Sequence, residues 1–282
     1  MYNGKQIRIY YHCFLTEDQT WIFILLDQME LIISSGLMDV VDEIRIFVGG
    51  TEDQIIKFKK SISCYPYTKI KIVYEQVVNT TNQDIDRGHH NDPDAEGIFS
   101  EKRTMHQIWL DCNENDFYFL YLQFKSITAF YLCWFKGGDY NGFKERHIQR
   151  KVLDWGNIER WKICAASLDN HNMSGVSYRP DILIECIPNQ PKTTILPKSY
   201  RGNIWWSKSS YIKTLNDIND PTWWNNTSRD KQDLYIEDEN YGRIYLYCKR
   251  FEAEFWPASG EANFFNIDCK DSPYDCLTTW KS

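Results

Sequence analysis

Four short runs rich in Ile, Val, Phe and Tyr punctuate the first 125 residues: IRIYYH (7–12), EIRIFV (43–48), KIKIVY (69–74) and FYFLYL (117–122). Each is the length of a strand, and the segments between them carry helical signals. Residues 20–35 read as a helix closed by Gly36, which stands where a left-handed cap is wanted. After the second run comes a Gly49-Gly50 turn, then a helix whose Thr51 and Gln54 have capping-box spacing. The stretch NTTNQDIDRGHHNDPDAEG (79–97) reads as a surface loop, and 100–112 as the helix before the fourth strand. Alternating strands and helices build a parallel sheet covered on both faces, so residues 1–125 are expected to form a Rossmann-like, nucleotide-binding half. In such sheets ligands sit beyond the carboxyl ends of the strands. That rule directs attention to His12, Glu75 and the segment from Gln123 to Ser126.

The remainder is less regular. Asp154 stands where it would cap a helix running to about Leu168, and 207–216 reads as a further helix, with a proline-containing stretch of weak signal at 180–200. No internal repeat or linker divides the chain. The expectation is a single domain over 1–282, with residues 126–282 forming the acceptor-side half of the same unit.

Charge and composition narrow the function. A net charge of −7 with no Lys/Arg run argues against a protein that tracks nucleic-acid phosphates. The longest apolar runs, Trp21 to Leu26 and Phe117 to Leu122, are too short for a bilayer span, and the opening MYNGKQIRIYYHCFL lacks the pattern of a signal peptide. Nine scattered cysteines without a C-x-x-C pair read as reduced thiols, so the expected location is cytoplasmic, not secreted. The sequons at Asn79, Asn172, Asn225 and Asn226 have no meaning without a secretory route. Aromatic residues make up 16% of the chain, with eleven tryptophans, and aromatic faces suit both a core and the C–H faces of sugars.

Several signatures are absent: G-x-G-x-x-G after the first strand, a Walker A loop, H-E-x-x-H and G-x-S-x-G. His89-His90 with Asp92 and Asp94 lie among turn formers and read as solvated loop. D-x-D occurs at Asp84/Asp86 and Asp92/Asp94, about the number that chance places among 23 aspartates, and neither pair ends a predicted strand. After FYFLYL, where a metal-binding carboxylate pair would stand, the chain reads Gln123-Phe124-Lys125. Lys125 there is either a point charge facing phosphate oxygens or an exposed lysine after a strand.

RGNIWWSKSSYIKTL (201–215) poses a question of its own, because no helix or strand can turn two adjacent tryptophans to one face. Gly202-Asn203-Ile204-Trp205-Trp206, with Tyr211 and Leu215 after it, and Arg250-Phe251-Glu252-Ala253-Glu254-Phe255-Trp256 together resemble the GT-A-type glycosyltransferase-like proteins of giant DNA viruses and of some bacteria and algae. Glu101 and Thr104 opening the helix before the central strand, Leu120-Tyr121-Leu122 within it, and Asp154-Trp155 also match that family's pattern. The likeness spans most of the chain outside 79–99 and the tail after 257. One departure stands out: a Tyr-Ile-His-Thr-Lys-Gly-like ending of the central strand is here Tyr121-Leu122-Gln123-Phe124-Lys125-Ser126, with only the lysine and the strand character in common.

The resemblance implies a GT-A-like three-layer α/β/α sandwich with a mixed, mostly parallel sheet. It also implies transfer of a sugar from a nucleotide-sugar donor to a glycan, protein or small-molecule acceptor. Donor contacts would fall to His12, Glu75, Thr104 and Lys125. Sugar or acceptor contacts would fall to Asp154, Asn203, Trp205, Trp206, Arg250 and Trp256. One indole would anchor the segment while the other faces the cleft. Inverting transfer needs a carboxylate base, and Glu254 among apolar neighbours fits, the alternative being an ion pair with Arg250 four residues earlier. Mn2+ or Mg2+ would accompany the nucleotide-sugar, unless Lys125 takes the metal's place; no metal ligands are assigned. Two other readings stay open: a non-catalytic nucleotide- or carbohydrate-binding module on the same scaffold, and a structural protein of a viral particle, whose setting would be the host cytoplasm.

Overall fold

The computed structural model describes residues 2–15, 19–78, 101–123, 140–176, 178–179, 182–184, 194–196, 199–200, 203–220, 235–238, 242–245 and 252–274. The loop at 79–97, Phe124, Lys125, Ser126 and Arg250 lie outside them. Seven strands make the central sheet: β1 (Gln6–Phe14), β2 (Glu43–Gly50), β3 (Ile70–Val77), β4 (Phe117–Gln123), β5 (Met173–Val176), β6 (Trp205–Lys208) and β7 (Phe264–Ile267). Their order is β7-β5-β6-β4-β1-β2-β3. Only β6 runs against the rest, pairing antiparallel with β4 and β5, whereas all the other pairs are parallel. Helices cover both faces, giving the expected mixed, mostly parallel α/β/α sandwich.

Strand alternation sorts the apolar side chains into two cores. On one face Ile7, Ile9, Tyr11 and Cys13 of β1 meet α1 (Thr20–Ser34), α2 (Glu52–Ile62), the end of α4 (Tyr140–Asp154) and α5 (Trp161–Ser167). On the other face Tyr10 of β1 and Phe117, Phe119 and Tyr121 of β4 meet α3 (Glu101–Glu114), α6 (Ser209–Ile212) and the short helix α7 (Glu252–Phe255). Smaller antiparallel ribbons join Tyr178–Arg179 to Ser199–Tyr200, Ile182–Ile184 to Thr194–Leu196, and Tyr235–Asp238 to Gly242–Tyr245.

Local chemistry sets several boundaries. Gly36 takes the left-handed conformation, φ 75°, after α1. Thr51 and Gln54 exchange both bonds of a capping box at the start of α2. Gly49 and Gly50 do not form a turn; they are the last two residues of β2, because Leu15 N–H donates to Gly49 O and Val78 N–H to Gly50 O. A side chain at Gly50 would meet Leu15 Cβ at 2.8 Å, so glycine is required there for close approach.

Two helix expectations need correction. Asp154 does not open a helix; it ends α4, which runs into a π-helical turn at Trp155–Glu159 before α5 begins. The 207–216 segment is mostly not helical, since pairing with β4 and β5 extends Trp205–Lys208 and leaves one helical turn at Ser209–Ile212.

The paired tryptophans follow from this topology. Both are buried, Trp205 at 1% exposure in the core under α3 and Trp206 at 0% in the core under α1. A strand inside a sheet covered on both faces buries neighbours on opposite sides. Trp206 Nε1 donates to Asn157 O at 2.8 Å, which satisfies the indole N–H that burial would otherwise strand. Replacing Trp206 by Ala is expected to cost about 3–5 kcal/mol through cavity formation and the lost bond. Replacing Ile56, 58% exposed on α2, should cost no more than about 0.5 kcal/mol. Urea unfolding midpoints compare the two.

Candidate functional site

The carboxyl ends of the parallel strands are the edge where a ligand is expected. Here β1 ends at Phe14, β2 at Gly50 and β4 at Gln123. His12 and Gln123 are register partners on β1 and β4, and both are buried. Because β6 runs the other way, it starts at this same edge: Trp205 pairs with Tyr121, which brings Asn203 to the strand ends. The first residue of α3, Glu101, arrives there too.

These residues join through hydrogen bonds. Asn203 Nδ2 donates to Glu101 Oε2 at 2.6 Å, and Tyr121 OH donates to the same oxygen at 3.1 Å. Trp205 Nε1 donates to Asn203 Oδ1 at 2.7 Å, fixing which way the amide faces. Asn203 itself adopts φ 48°, a left-handed backbone that asparagine tolerates better than most residues and that costs about 1 kcal/mol or more. One helical turn beyond Glu101, Thr104 Oγ1 lies 2.9 Å from His12 Nδ1, both groups fully buried. Burial, then the charge and hydrogen bond of Glu101, then the charges of Cys13 and Glu254, push the Tyr121 phenol well above its ordinary 10.0. Tyr121 is therefore a neutral donor at physiological pH. Glu254, half-buried on α7 between the buried Ala253 and Phe255, adds a second carboxylate to the field at this phenol, and α7 packs on α3.

The fold thus gathers His12, Thr104, Asn203 and Glu254 of the expected residues on one side of the sheet. Others lie elsewhere. Glu75 sits on the edge strand β3, 2.7 Å from Lys59 of α2, on the side where its partner Val48 faces the opposite core. Asp154 is also across the sheet: Tyr11 OH donates to Gln28 Oε1, Gln28 Nε2 donates to Asp154 Oδ1 at 2.8 Å, and Arg150 Nε stands 3.9 Å from Asp154 Oδ2. Arg150 pairs in turn with Asp27. This chain links sheet, α1 and α4, and Asp154 within it is fully buried.

Neither tryptophan of the pair lines a cleft, since burial leaves no ring face for a sugar; Trp205 reaches the cluster through its N–H and by its ring contact with Tyr121. Trp256 is likewise fully buried, its Nε1 donating to Asn216 O at 2.9 Å. Lys125 and Arg250 lie outside the described residues. Glu101 and Tyr121 received no role from sequence, although Glu101-x-x-Thr104 places both side chains on one helical face, the available signal.

A divalent cation would need oxygen ligands here. Among the described residues no three His, Cys, Asp or Glu side chains come together, and β4 ends in the amide Gln123 rather than a carboxylate. Among the described residues no helix is long and apolar enough to cross a membrane.

No protein-family pattern and no curated protein matches the chain. Among solved structures it is similar to the 4-diphosphocytidyl-2C-methyl-D-erythritol synthase of Anaerococcus prevotii DSM 20548, at 11% identity and a TM-score of 0.37, over 94% of this chain and 90% of that one. That likeness is too loose to carry an activity across.

Burial raises the Asp154 carboxyl above its ordinary 3.8, against the opposing pull of Arg150 and the Gln28 hydrogen bond. Between 3.8 and the raised folded value the unfolded chain releases its proton first, so stability falls as pH rises through that window. Asp27 acts with the opposite sign: burial alone would raise it, but Arg150 and Lys151 hold it below 3.8, so its contribution is lost as pH falls through that lowered value. Asp154→Asn is expected to flatten the decline above pH 3.8. Melting temperature followed from pH 3 to 7 checks this, and an unchanged slope would refute it.

Proposed function

We propose that the chain is a glycosyltransferase that moves a sugar from a nucleotide-sugar to a hydroxyl of a glycan, protein or small-molecule acceptor. The observation that supports this best is the convergence of Glu101, Asn203, Tyr121, His12 and Thr104 on the carboxyl edge of the parallel strands, with Glu254 close by. In this reading the nucleotide lies over the ends of β1, β2 and β4 beside His12 and Thr104. Lys125, two residues past the end of β4, is the cation assigned to the diphosphate. Arg250 lies in the sequence motif that carries Glu254 and is assigned to the acceptor side.

In the reaction the acceptor oxygen forms a bond to the anomeric carbon as the bond from that carbon to the diphosphate breaks. The acceptor's proton passes to Glu254, and the diphosphate leaves with the bonding electrons. No step is assigned to a metal. A binding module on the same scaffold is the second reading, favoured by the neutral Gln123 where a strand-end carboxylate is expected.

A thermal-shift panel of nucleoside diphosphates and nucleotide-sugars, with and without Mn2+, tests the reading. A ligand at a hundred times its Kd should raise the melting temperature by about 5 °C. Silence across the panel would overturn the transferase. With a stabilising donor in hand, Glu254→Gln should keep that shift and lower turnover by about 10²–10⁴-fold. Stabilisation without sugar transfer or hydrolysis by the unaltered chain would establish the binding module instead.

A further inference from the structure

The first turn of α3 reaches further across the ligand edge than the cluster at β4 and β1. Register pairing sets Gln123, His12, Phe47 and Tyr74 in one row across β4, β1, β2 and β3. α3 meets this row twice. Thr104 stands beside His12, and one residue earlier Arg103 Nη1 donates to Tyr74 OH at 2.7 Å, with the guanidinium carbon 5.8 Å from the centre of the Tyr74 ring. The phenol that receives Arg103 is itself set by stacking: Tyr74 lies on Phe47 with ring centres 6.5 Å apart, and Phe47 on Tyr10 at 6.4 Å. An exposed arginine is thereby held in one place at the edge of the sheet.

A guanidinium carries five N–H donors in a rigid fork. Arg45 and Arg150 direct theirs to carboxylates, Glu43 and Asp111 for the one, Asp27 and Asp154 for the other. Arg103 has no ion pair among the described residues, and its hydrogen bond there goes to a phenol oxygen, which leaves the other N–H groups of the fork for a ligand.

In the transferase reading, on which this inference rests, the diphosphate lies at the end of β4. Neighbouring strands are about 4.8 Å apart, so β3, three places along the sheet, is about 14 Å away. What an extended nucleotide presents that far from its phosphates is the base. Two parallel N–H groups match two neighbouring acceptors, as O6 and N7 of guanine provide; uracil offers O4 at the corresponding edge, whereas adenine and cytosine set an NH2 there, donor against donor. We infer that Arg103 binds the base of the donor nucleotide and selects one with a carbonyl at that edge, guanine or uracil over adenine and cytosine, with Tyr74 as the positioning residue.

Isothermal titration with GDP, UDP, ADP and CDP tests this. GDP or UDP should bind at least tenfold more tightly than ADP and CDP, the discrimination that one well-made base contact supplies. Arg103→Ala should erase that preference and leave the ADP and CDP affinities unchanged. Because the side chain is exposed, the same variant should move the melting temperature by no more than about 2 °C. Tyr74→Phe keeps the ring and removes the hydroxyl that receives Arg103; it should reduce the preference severalfold, a readout that a purely structural tyrosine would not move. Arg103→Lys keeps the charge without the fork, so it should retain most of a uracil preference and lose most of a guanine one. Equal binding of all four diphosphates, or a preference unchanged in Arg103→Ala, would overturn the base contact and leave the transferase standing. An equal loss for all four in Arg103→Ala would put the guanidinium on the phosphates and would also refute it. No binding by any of the four would overturn the two readings together.

Discussion

The antiparallel insertion of β6 between β4 and β5 is the constraint on which the rest of the structure depends. A parallel strand in that place would bring its carboxyl end to the ligand edge. An antiparallel one brings its beginning, and with it Asn203. The strand is buried on both faces, so its alternation is paid in large side chains: Trp205 fills one core and Trp206 the other. Each indole N–H then needs an acceptor. Trp206 finds Asn157 O in the π-helical turn on its own face. Trp205 finds the side chain of Asn203, two residues back. One strand thereby ties both cores together and sets an amide that donates to Glu101.

Much of the architecture was legible in the sequence because the signals were local and unopposed. IRIYYH, EIRIFV, KIKIVY and FYFLYL carry strand composition, Gly36 and the Thr51/Gln54 box mark helix ends by their own chemistry, and all appear where expected. Where tertiary pairing overrides local preference, the reading failed. SKSSYIK has helical character, but the ladder with β4 claims its first residues, and Gly49-Gly50 looks like a turn although neighbouring strands extend the ladder through it. Asp154 resembles a cap only when the helix before it is unseen; α4 runs through it.

The site was less legible, for a reason of parity. Knowing that ligands gather at strand ends does not tell which face of the sheet a residue serves, and a shift of one position reverses it. His12 and Thr104 fall on the α3 side, while Glu75 and Asp154 fall on the α1 and α2 side. Aromatic content misled in a similar way. A tryptophan suits a sugar face and a core equally well by composition, and Trp205, Trp206 and Trp256 are all in the core. Glu101 carried the opposite risk, since an acidic residue in the first turn of a helix is ordinary on a surface, and its bonds to Tyr121 and to Asn203, 102 positions away, are formed by the fold.

The two buried polar chains, one on each face, differ in what their charges can do. On the α1 side Asp154 is fully buried, and Arg150 is nearly so while paired with Asp27; opening that chain to a ligand would strand a charge in the core, which favours a fixed structural link between sheet, α1 and α4. On the α3 side the charge sits at the rim. Glu101 is half-buried and accepts from the neutral amide of Asn203 and the neutral phenol of Tyr121. A hydrogen bond from a neutral donor to an anion is strong in such surroundings, and the one from the Asn203 amide, worth about 1.5–3 kcal/mol, is of the same size as the cost of about 1–3 kcal/mol for holding Asn203 in the left-handed region. The amide of Asn203 is thus held from both sides, by the Trp205 indole N–H and by the Glu101 carboxylate, and the strand start and the placement of the anion support each other.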